Sequence, residues 1–236
     1  MTTIPSAILK SPDLANKIEC LVTNGTGSFA SLAINGGLSR KFHGLLVHSV
    51  IPPMDRQLTW HSCVETVDDI SLDARRWLAG ISHICANGEK YILHFNAKPM
   101  PTWVYNINGA LLKKELFMAP GSATTILKYS LLAAPNDSID LTLENYVHFR
   151  EAGDHKSQFQ MSDLTNWQVD ASRQCIANGA LTLKLGLQMD TDQNQVATIG
   201  LISVQTIKLP IYCMPSNWKI RDIRRETAVL KYSKRR

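Results

Sequence analysis

Along most of the chain, apolar side chains recur at every second position, the period of a strand with one face buried and one face wet. Leu181, Leu183, Leu185, Leu187 and Met189 share one side of a run whose other side is Thr182, Lys184, Gly186 and Gln188. Ile139, Leu141, Leu143 and Val147 alternate with Asp140, Thr142, Glu144 and Tyr146, and Trp103, Tyr105 and Ile107 repeat the pattern in a shorter piece. Further strands are predicted over 89–95, 111–118, 124–132, 196–207 and 210–214. Turn signals separate them: Asn35-Gly36-Gly37, Asn87-Gly88, Asn108-Gly109, Pro120-Gly121, Pro135-Asn136 and Asn178-Gly179. Asn-Gly pairs adopt the positive φ angles of tight hairpin turns, so their repetition predicts consecutive antiparallel pairing. The expected fold is all-β, a large antiparallel β-sandwich of supersandwich-like size with few short helices. Helical periodicity is confined to 12–19 and 69–79.

One segment resists this reading at first. Residues 24–30, "NGTGSFA", match the G-x-G-x-x-G/A spacing of a dinucleotide-binding loop through Gly25, Gly27 and Ala30. That loop works only when a helix begins directly after the glycines, because the helix N-terminus supplies the free amides that hold a pyrophosphate. Here Ala30, Leu32 and Ile34 alternate toward another glycine turn at Gly36, and the first acidic residue downstream is Asp55. A nucleotide site is therefore excluded, and 20–50 is expected to form three strands joined by glycine turns, the third spanning 39–50.

Length and composition add bounds. At 236 residues and 44% hydrophobic, the chain has enough apolar surface for one large core. The net charge of +5 is local: residues 219–236 hold eight Lys/Arg and two Asp/Glu, leaving 1–218 at −1. The expected organisation is a sandwich over 1–218 and a basic C-terminal tail over 219–236, where a linker to another domain would begin. The tail can also be drawn as a ragged amphipathic helix through Trp218, Ile220, Ile223, Ala228, Val229 and Tyr232. A basic tail attracts anions, but no nucleic-acid-binding motif accompanies it, so no nucleic acid partner is expected. Five irregularly spaced cysteines without a C-x-x-C pair predict reduced thiols. The first 17 residues lack a basic start and an apolar stretch, so the expected location is cytoplasmic. The longest run without Asp, Glu, Lys or Arg spans 20 residues from Cys20 to Ser39, of which 11 are Gly, Asn, Ser or Thr, so no membrane partner is expected.

Candidate chemistry concentrates near the front of the chain. On a strand beginning at residue 39, Lys41, His43, Leu45 and Val47 face one way, and Arg40, Phe42, Gly44 and Leu46 the other. Arg40 then lies among apolar side chains and needs a carboxylate or carbonyl partner. Hydrolysis of a glycoside needs two carboxylates across the bond, and the candidates are Asp55, Glu65, Asp68, Asp69, Glu144 and Asp154. None of them sits in a spacing that defines such a pair. Asp190-Thr191-Asp192 starts like a calcium loop, but Gln195 and Leu201 stand where that loop needs Gly and Glu, so no metal or other cofactor is expected. Trp103 and Tyr105 read as core. Trp60 and Trp167, in polar surroundings, are the candidates for stacking on a sugar ring.

The stretch "CLVTNGTGSFASLAINGGLSRKFHGLLVHSVIPPMDR", continuing to Glu65, resembles the opening signature of glycogen debranching enzymes of the bacterial and archaeal type. That signature reads W-L-x-T-N-G-x-G-G-Y-A-S, then N-T-R-R-Y-H-G-L-L, then P-P-x-x-R and a nearby Glu. Asn24, Gly25, Gly27, Ala30, Ser31, Arg40, His43, Gly44, Leu45, Leu46, Pro52, Pro53, Arg56 and Glu65 match it. Cys20, Ser28, Phe29, Leu38-Ser39 and Lys41-Phe42 depart from it, and Phe29 and Phe42 each lack a tyrosine hydroxyl. The resemblance covers 18–150 well and the rest loosely.

The resemblance implies an N-terminal β-sandwich that, in complete members, packs on a C-terminal (α/α)6 barrel holding the α-1,6-glucosidase acid and base. Twelve helices and their loops need at least about 200 further residues, so catalysis is expected only where such a barrel is supplied in cis or in trans. On this reading the chain is a noncatalytic domain of an amylo-α-1,6-glucosidase, supporting the barrel and helping to bind branched α-glucan such as glycogen or limit dextrin. The other class consistent with the sequence is a free-standing α-glucan-binding sandwich with no catalytic partner. A homo-oligomer is also among the expected partners, because apolar surface awaiting a barrel can pair with itself. Asn24, Arg40, His43, Asp55, Arg56 and Glu65 are the expected substrate-binding or domain-interface residues. Arg40, His43, Arg56 and Asn24 are expected to gather near one end of the sandwich.

Overall fold

The computed structural model describes residues 3–74, 87–136, 138–153, 167–170, 175–178, 181–189, 196–206 and 217–224. Its elements, in chain order, are β1 (Thr3–Ile4), α1 (Ser6–Leu9), α2 (Pro12–Ala15), β2 (Glu19–Thr23), β3 (Phe29–Ala33), β4 (Gly44–Ile51), β5 (Met54–Val67) and β6 (Ile70–Ser71). After a single 3-10 turn at Gly88–Tyr91 come β7 (Ile92–Asn96), β8 (Thr102–Ile107), β9 (Ala110–Met118), β10 (Thr124–Ala133) and β11 (Ser138–Glu151). The last five strands are β12 (Trp167–Asp170), β13 (Cys175–Asn178), β14 (Leu181–Met189), β15 (Val196–Thr206) and β16 (Asn217–Arg224).

These strands form two antiparallel sheets, as the alternation requires. The first runs β1-β7-β8-β9-β10-β15-β14-β13-β12, and the second β16-β11-β5-β4-β3-β2, with β6 hydrogen-bonded to the far end of β5. The β8–β9 hairpin shows how locally the pairing is set. Asn108 and Gly109 both take positive φ, 49° and 91°, and bring Ile107 opposite Ala110. Two consecutive left-handed residues match the twist of the strands they join. Along β9, Leu112, Leu116 and Met118 then fall on the inner face, and Leu111, Lys113 and Phe117 on the outer one.

The main core lies between the sheets. Phe95, Trp103, Tyr105, Leu112, Leu116, Leu127 and Tyr129 from the first sheet meet Ala30, Leu32, Leu46, Trp60, Val67, Leu141 and Leu143 from the second. The Phe95 and Trp103 rings pack 5.0 Å apart between centroids at a 47° tilt. The Trp103 indole donates across the sandwich to the Ile34 carbonyl at 2.6 Å, so its one polar atom is satisfied inside the core. A smaller cluster of Val47, Leu58 and Ala152, with Phe29 packed on it, occupies the other side of β4.

Several expectations are corrected. The strand predicted from residue 39 begins only at Gly44; Arg40–His43 form a turn closed by the His43 amide on the Arg40 carbonyl at 3.0 Å. A turn there lets both Arg40 and His43 reach Glu19, which an alternating strand would have forbidden. Residues 89–91, expected in a strand, belong to the 3-10 turn, and the helix expected over 12–19 stops at Ala15 because Glu19 already pairs with Ala33. Ile70 and Ser71, expected in a helix, are strand β6, while 75–86 lie outside the described residues. The expected sandwich-to-tail boundary at 218/219 falls inside β16. Trp218, Ile220 and Ile223 face Leu143, Leu141 and Ile139 in register, and a bulge absorbs the three-residue step that looked helical. Residues 225–236, and the strand expected at 210–214, lie outside the described residues.

Candidate functional site

The glycine loop at 24–28 is a fastener, and a strand follows it, as the exclusion of a nucleotide site required. Gly25 and Gly27 take φ of 82° and 100°, which wraps the backbone around the buried Asn24 side chain. The Asn24 Oδ1 accepts the amides of Thr26 at 2.9 Å and Ser28 at 3.2 Å, and its Nδ2 donates to the Ser122 carbonyl at 3.0 Å. The Gly121 amide returns a bond to the Asn24 carbonyl at 2.8 Å. One residue thus closes its own turn and ties the β2–β3 connection to the β9–β10 connection of the opposite sheet. Gly27 leaves room for nothing larger, because a Cβ there would stand 2.9 Å from the Pro53 Cα.

Glu65 faces into the sandwich from β5. Its Oε1 accepts the Lys114 ammonium from β9 at 2.5 Å and the Tyr129 hydroxyl from β10, so one carboxylate joins two strands of the other sheet. All three side chains are buried. Burial opposes a charge on Lys114, yet the Glu65 carboxylate, by charge and hydrogen bond, outweighs it and holds the ammonium above its ordinary pKa. Burial, reinforced by the nearby Glu65 charge, pushes the Tyr129 hydroxyl well above its usual range. The neighbouring Tyr105 is raised by burial as well, and burial pushes the Cys20 thiol up to about 12. An arrangement so enclosed is a strut between sheets and offers no face to a substrate.

Arg40 and His43 gather on Glu19, at the start of β2. The Arg40 Nε pairs with the Glu19 carboxylate, and its side chain is 59% exposed. His43 is buried. Its Nδ1 accepts the Ser39 amide at 3.0 Å, which leaves the proton of the neutral ring on Nε2, 3.5 Å from the same Glu19 oxygen. Burial lowers the His43 pKa, and Glu19 opposes that shift while Arg40 adds to it.

Arg56 is held at the other end. Its Nε donates to the Gly27 carbonyl at 3.3 Å, and its guanidinium lies 5.6 Å over the Phe29 ring. Asn24 and Glu19 flank β2 on opposite ends, about 17 Å apart at the rise of an extended chain. Arg56 therefore shares the glycine loop with Asn24, whereas Arg40 and His43 are anchored elsewhere, which corrects the expectation of one four-residue cluster. The loop after β11 bridges the two places: Lys41 Nζ donates to the Gly153 carbonyl at 3.4 Å, and the Ala152 amide to the Arg56 carbonyl at 2.9 Å.

Of the remaining candidates, Asp55 is exposed with φ 48° beside the β4–β5 turn. Asp68 and Asp69 form the left-handed turn after β5, where the Asp68 carboxylate accepts the Asp140 amide at 2.8 Å. Glu144 accepts the Tyr146 hydroxyl at 3.2 Å, and Asp154 lies outside the described residues. Trp60 is 1% exposed and part of the core, so its ring faces are covered by the protein itself and the expectation of sugar stacking there is corrected. A polar neighbourhood in sequence misled because the covering residues are distant: a bulge between Leu58 and Trp60 sends Leu58 to the smaller cluster and Trp60 into the core between the sheets. Trp167 opens β12, and its side chain lies outside the described residues. Among the described residues no group of three or more His, Cys, Asp or Glu is arranged to hold a metal, and no helix is long and apolar enough to cross a membrane.

The sequence reading missed the partners: Glu19 for Arg40 and His43, Lys114 and Tyr129 for Glu65, and Ser122 for Asn24. Lys114 was detectable, since it interrupts the apolar series Leu112, Leu116, Met118 with a charge that can only be buried if paired. It also missed the tip of the β4–β5 hairpin. There Ile51, Pro52, Pro53 and Met54 are all exposed, Ile51 at 61% and Met54 at 66%.

Against known proteins, the family model described as "Glycogen debranching enzyme N terminal" matches residues 19–199. No curated protein and no solved structure matches the chain.

Proposed function

Because the chain belongs to the family of glycogen debranching enzyme N-terminal domains, we propose that it acts as a noncatalytic support for an α-1,6-glucosidase barrel and contributes to holding branched α-glucan at that barrel's entrance. The observation behind this reading is where the shared signature residues spend their hydrogen bonds. Asn24, His43 and Glu65 are buried and bonded to the sandwich's own backbone and side chains. A signature that builds a stiff slab suits a domain whose work is to present a surface. A catalytic cleft would instead need two carboxylates facing a shared opening. Glu65 is committed to Lys114 and Tyr129, and Asp68 to the Asp140 amide.

A free-standing glucan-binding module has less support. Such modules need flat aromatic faces open to solvent. Among the described residues, Trp60 and Trp103 are buried, Phe29 lies under Arg56, Phe42 lies under Lys41 at 5.0 Å, and Tyr146 is the half-open ring on β11. The discriminating experiment measures glycogen affinity by co-sedimentation for this chain, for a separately expressed barrel, and for the two together. The proposal expects the mixture to bind more tightly than either alone. Saturable binding by this chain, unchanged on adding barrel, overturns it in favour of the module.

A further inference from the structure

We propose that the β4–β5 hairpin tip and the Arg56 guanidinium beside it form the contact by which this sandwich docks on a carboxylate-bearing face of the glucosidase barrel. The inference rests on the supporting role argued above and assigns it a surface and a chemistry.

Two observations meet at this place. The first is apolar: Ile51, Pro52, Pro53 and Met54 are consecutive and all exposed, and Ile51 and Met54 pair across the turn so that both flank it. Four adjacent exposed apolar residues on a projecting turn keep contact area in water that another surface can cover. The second is electrostatic. Arg56 is fixed at its inner edge, through Nε on the Gly27 carbonyl and through the Phe29 ring beneath it. Among the described residues its terminal amino groups, with four N–H donors, take no hydrogen-bond partner, and no carboxylate pairs with Arg56. A guanidinium whose rotamer is already set, with its fork directed outward, is prepared for bidentate capture of a carboxylate at little further entropy loss. An arginine beside an exposed methionine and isoleucine has the composition of an interface hot spot.

The tip is also held in place. The Ser49 hydroxyl donates to the Met54 carbonyl at 2.8 Å, the Ser49 amide donates to the Ser28 hydroxyl at 3.0 Å, and Pro53 packs against Gly27. The hairpin is thereby braced against the glycine loop, which Asn24 ties to the opposite sheet. A protein surface fits this site better than a glucan does. An aliphatic knob offers no stacking plane, the one ring present already lies under the cation, and the free fork calls for an anion that a neutral glucan lacks.

The test uses the full chain and the separately expressed (α/α)6 barrel of the debranching enzyme from the same organism, with affinity measured by titration. Arg56→Glu and Met54→Asp are each expected to weaken binding at least tenfold, and Arg56→Lys to recover only part of the loss. Leu93→Asp, an exposed apolar position on β7, is expected to bind as the unchanged chain does. Unaltered melting temperatures show that the variants are folded. If the barrel binds and the tip variants bind equally well, the inference is overturned while the supporting role stands. If the unchanged chain does not bind the barrel, both fall. Loss of self-association in the tip variants, or loss of glycogen co-sedimentation, with barrel binding intact, replaces the barrel with a second copy or with glucan and likewise overturns the inference.

Discussion

Removing one partner of the Glu65–Lys114 pair should be among the most damaging single changes this fold can suffer. At 2.5 Å the two charges attract with about 7 kcal/mol for an effective dielectric constant of about 20, and that attraction offsets the several kcal/mol needed to dehydrate each ion. The net worth of the pair is therefore small, but either partner left alone retains its dehydration cost. Glu65→Leu strands a buried ammonium and also takes the acceptor from the Tyr129 hydroxyl. The expected loss is about 3–5 kcal/mol for Glu65→Leu or for Lys114→Met. For a domain of this size that lowers the melting midpoint by roughly 6–20 °C. The double variant Glu65→Leu/Lys114→Met strands no charge and should be at least about 2 kcal/mol more stable than the summed singles imply. Urea unfolding followed by tryptophan fluorescence and circular dichroism measures all four corners of this cycle. Either single variant within about 1 kcal/mol of the parent, or strictly additive losses, would refute the picture of an inter-sheet strut.

Three further outcomes are expected. Gly27→Ala should cost about 2–4 kcal/mol, from a left-handed φ and a Cβ 2.9 Å from Pro53, whereas Gly25→Ala, with the same φ problem but open space, should cost about 1–2 kcal/mol; comparative thermal melts decide it, and equal losses would contradict the packing argument. Stability should fall from about pH 9 upward, because Cys20, Tyr105, Tyr129 and Lys114 all have higher pKa values folded than unfolded, so their contributions are complete below the unfolded values and vanish as pH climbs through the folded ones. A urea midpoint that is flat from pH 8 to 11 would count against it. On the acid side, burial depresses His43 and His48, so their contribution is present above their ordinary value of 6.5 and is lost as pH falls below it; His43→Gln should flatten the midpoint-against-pH curve below pH 6.5, and an unchanged slope would remove His43 from the account.

The sheets were legible in the sequence because their signals are local. Alternation over 103–107, 111–118, 139–147 and 181–189, punctuated by Asn-Gly turns, needs nothing distant to be decided, and all four appear as strands. The errors arose where a distant partner decides the conformation. Arg40–His43 turn so that two side chains reach Glu19, about twenty residues away, and no period within 39–50 reports that. The segment around Trp218 reads as a ragged helix until Leu143, Leu141 and Ile139 supply a facing strand whose bulge matches its spacing. Trp60 looked solvated for the same reason: its neighbours in sequence are polar, but its neighbours in space are the opposite sheet. The role of Asn24 and Glu65 as internal bonds was hidden, since Lys114, Tyr129 and Ser122 lie 49, 64 and 98 positions away from the groups they satisfy.

We propose that this sandwich serves a catalytic barrel and does no hydrolysis of its own. The most direct test is the rate of glucose release from a branched limit dextrin by the purified barrel as this chain is titrated in. The account predicts no release by the chain alone and a saturable rise in the barrel's rate on mixing. Turnover by the chain alone, or a barrel rate unmoved at saturating chain, would contradict it.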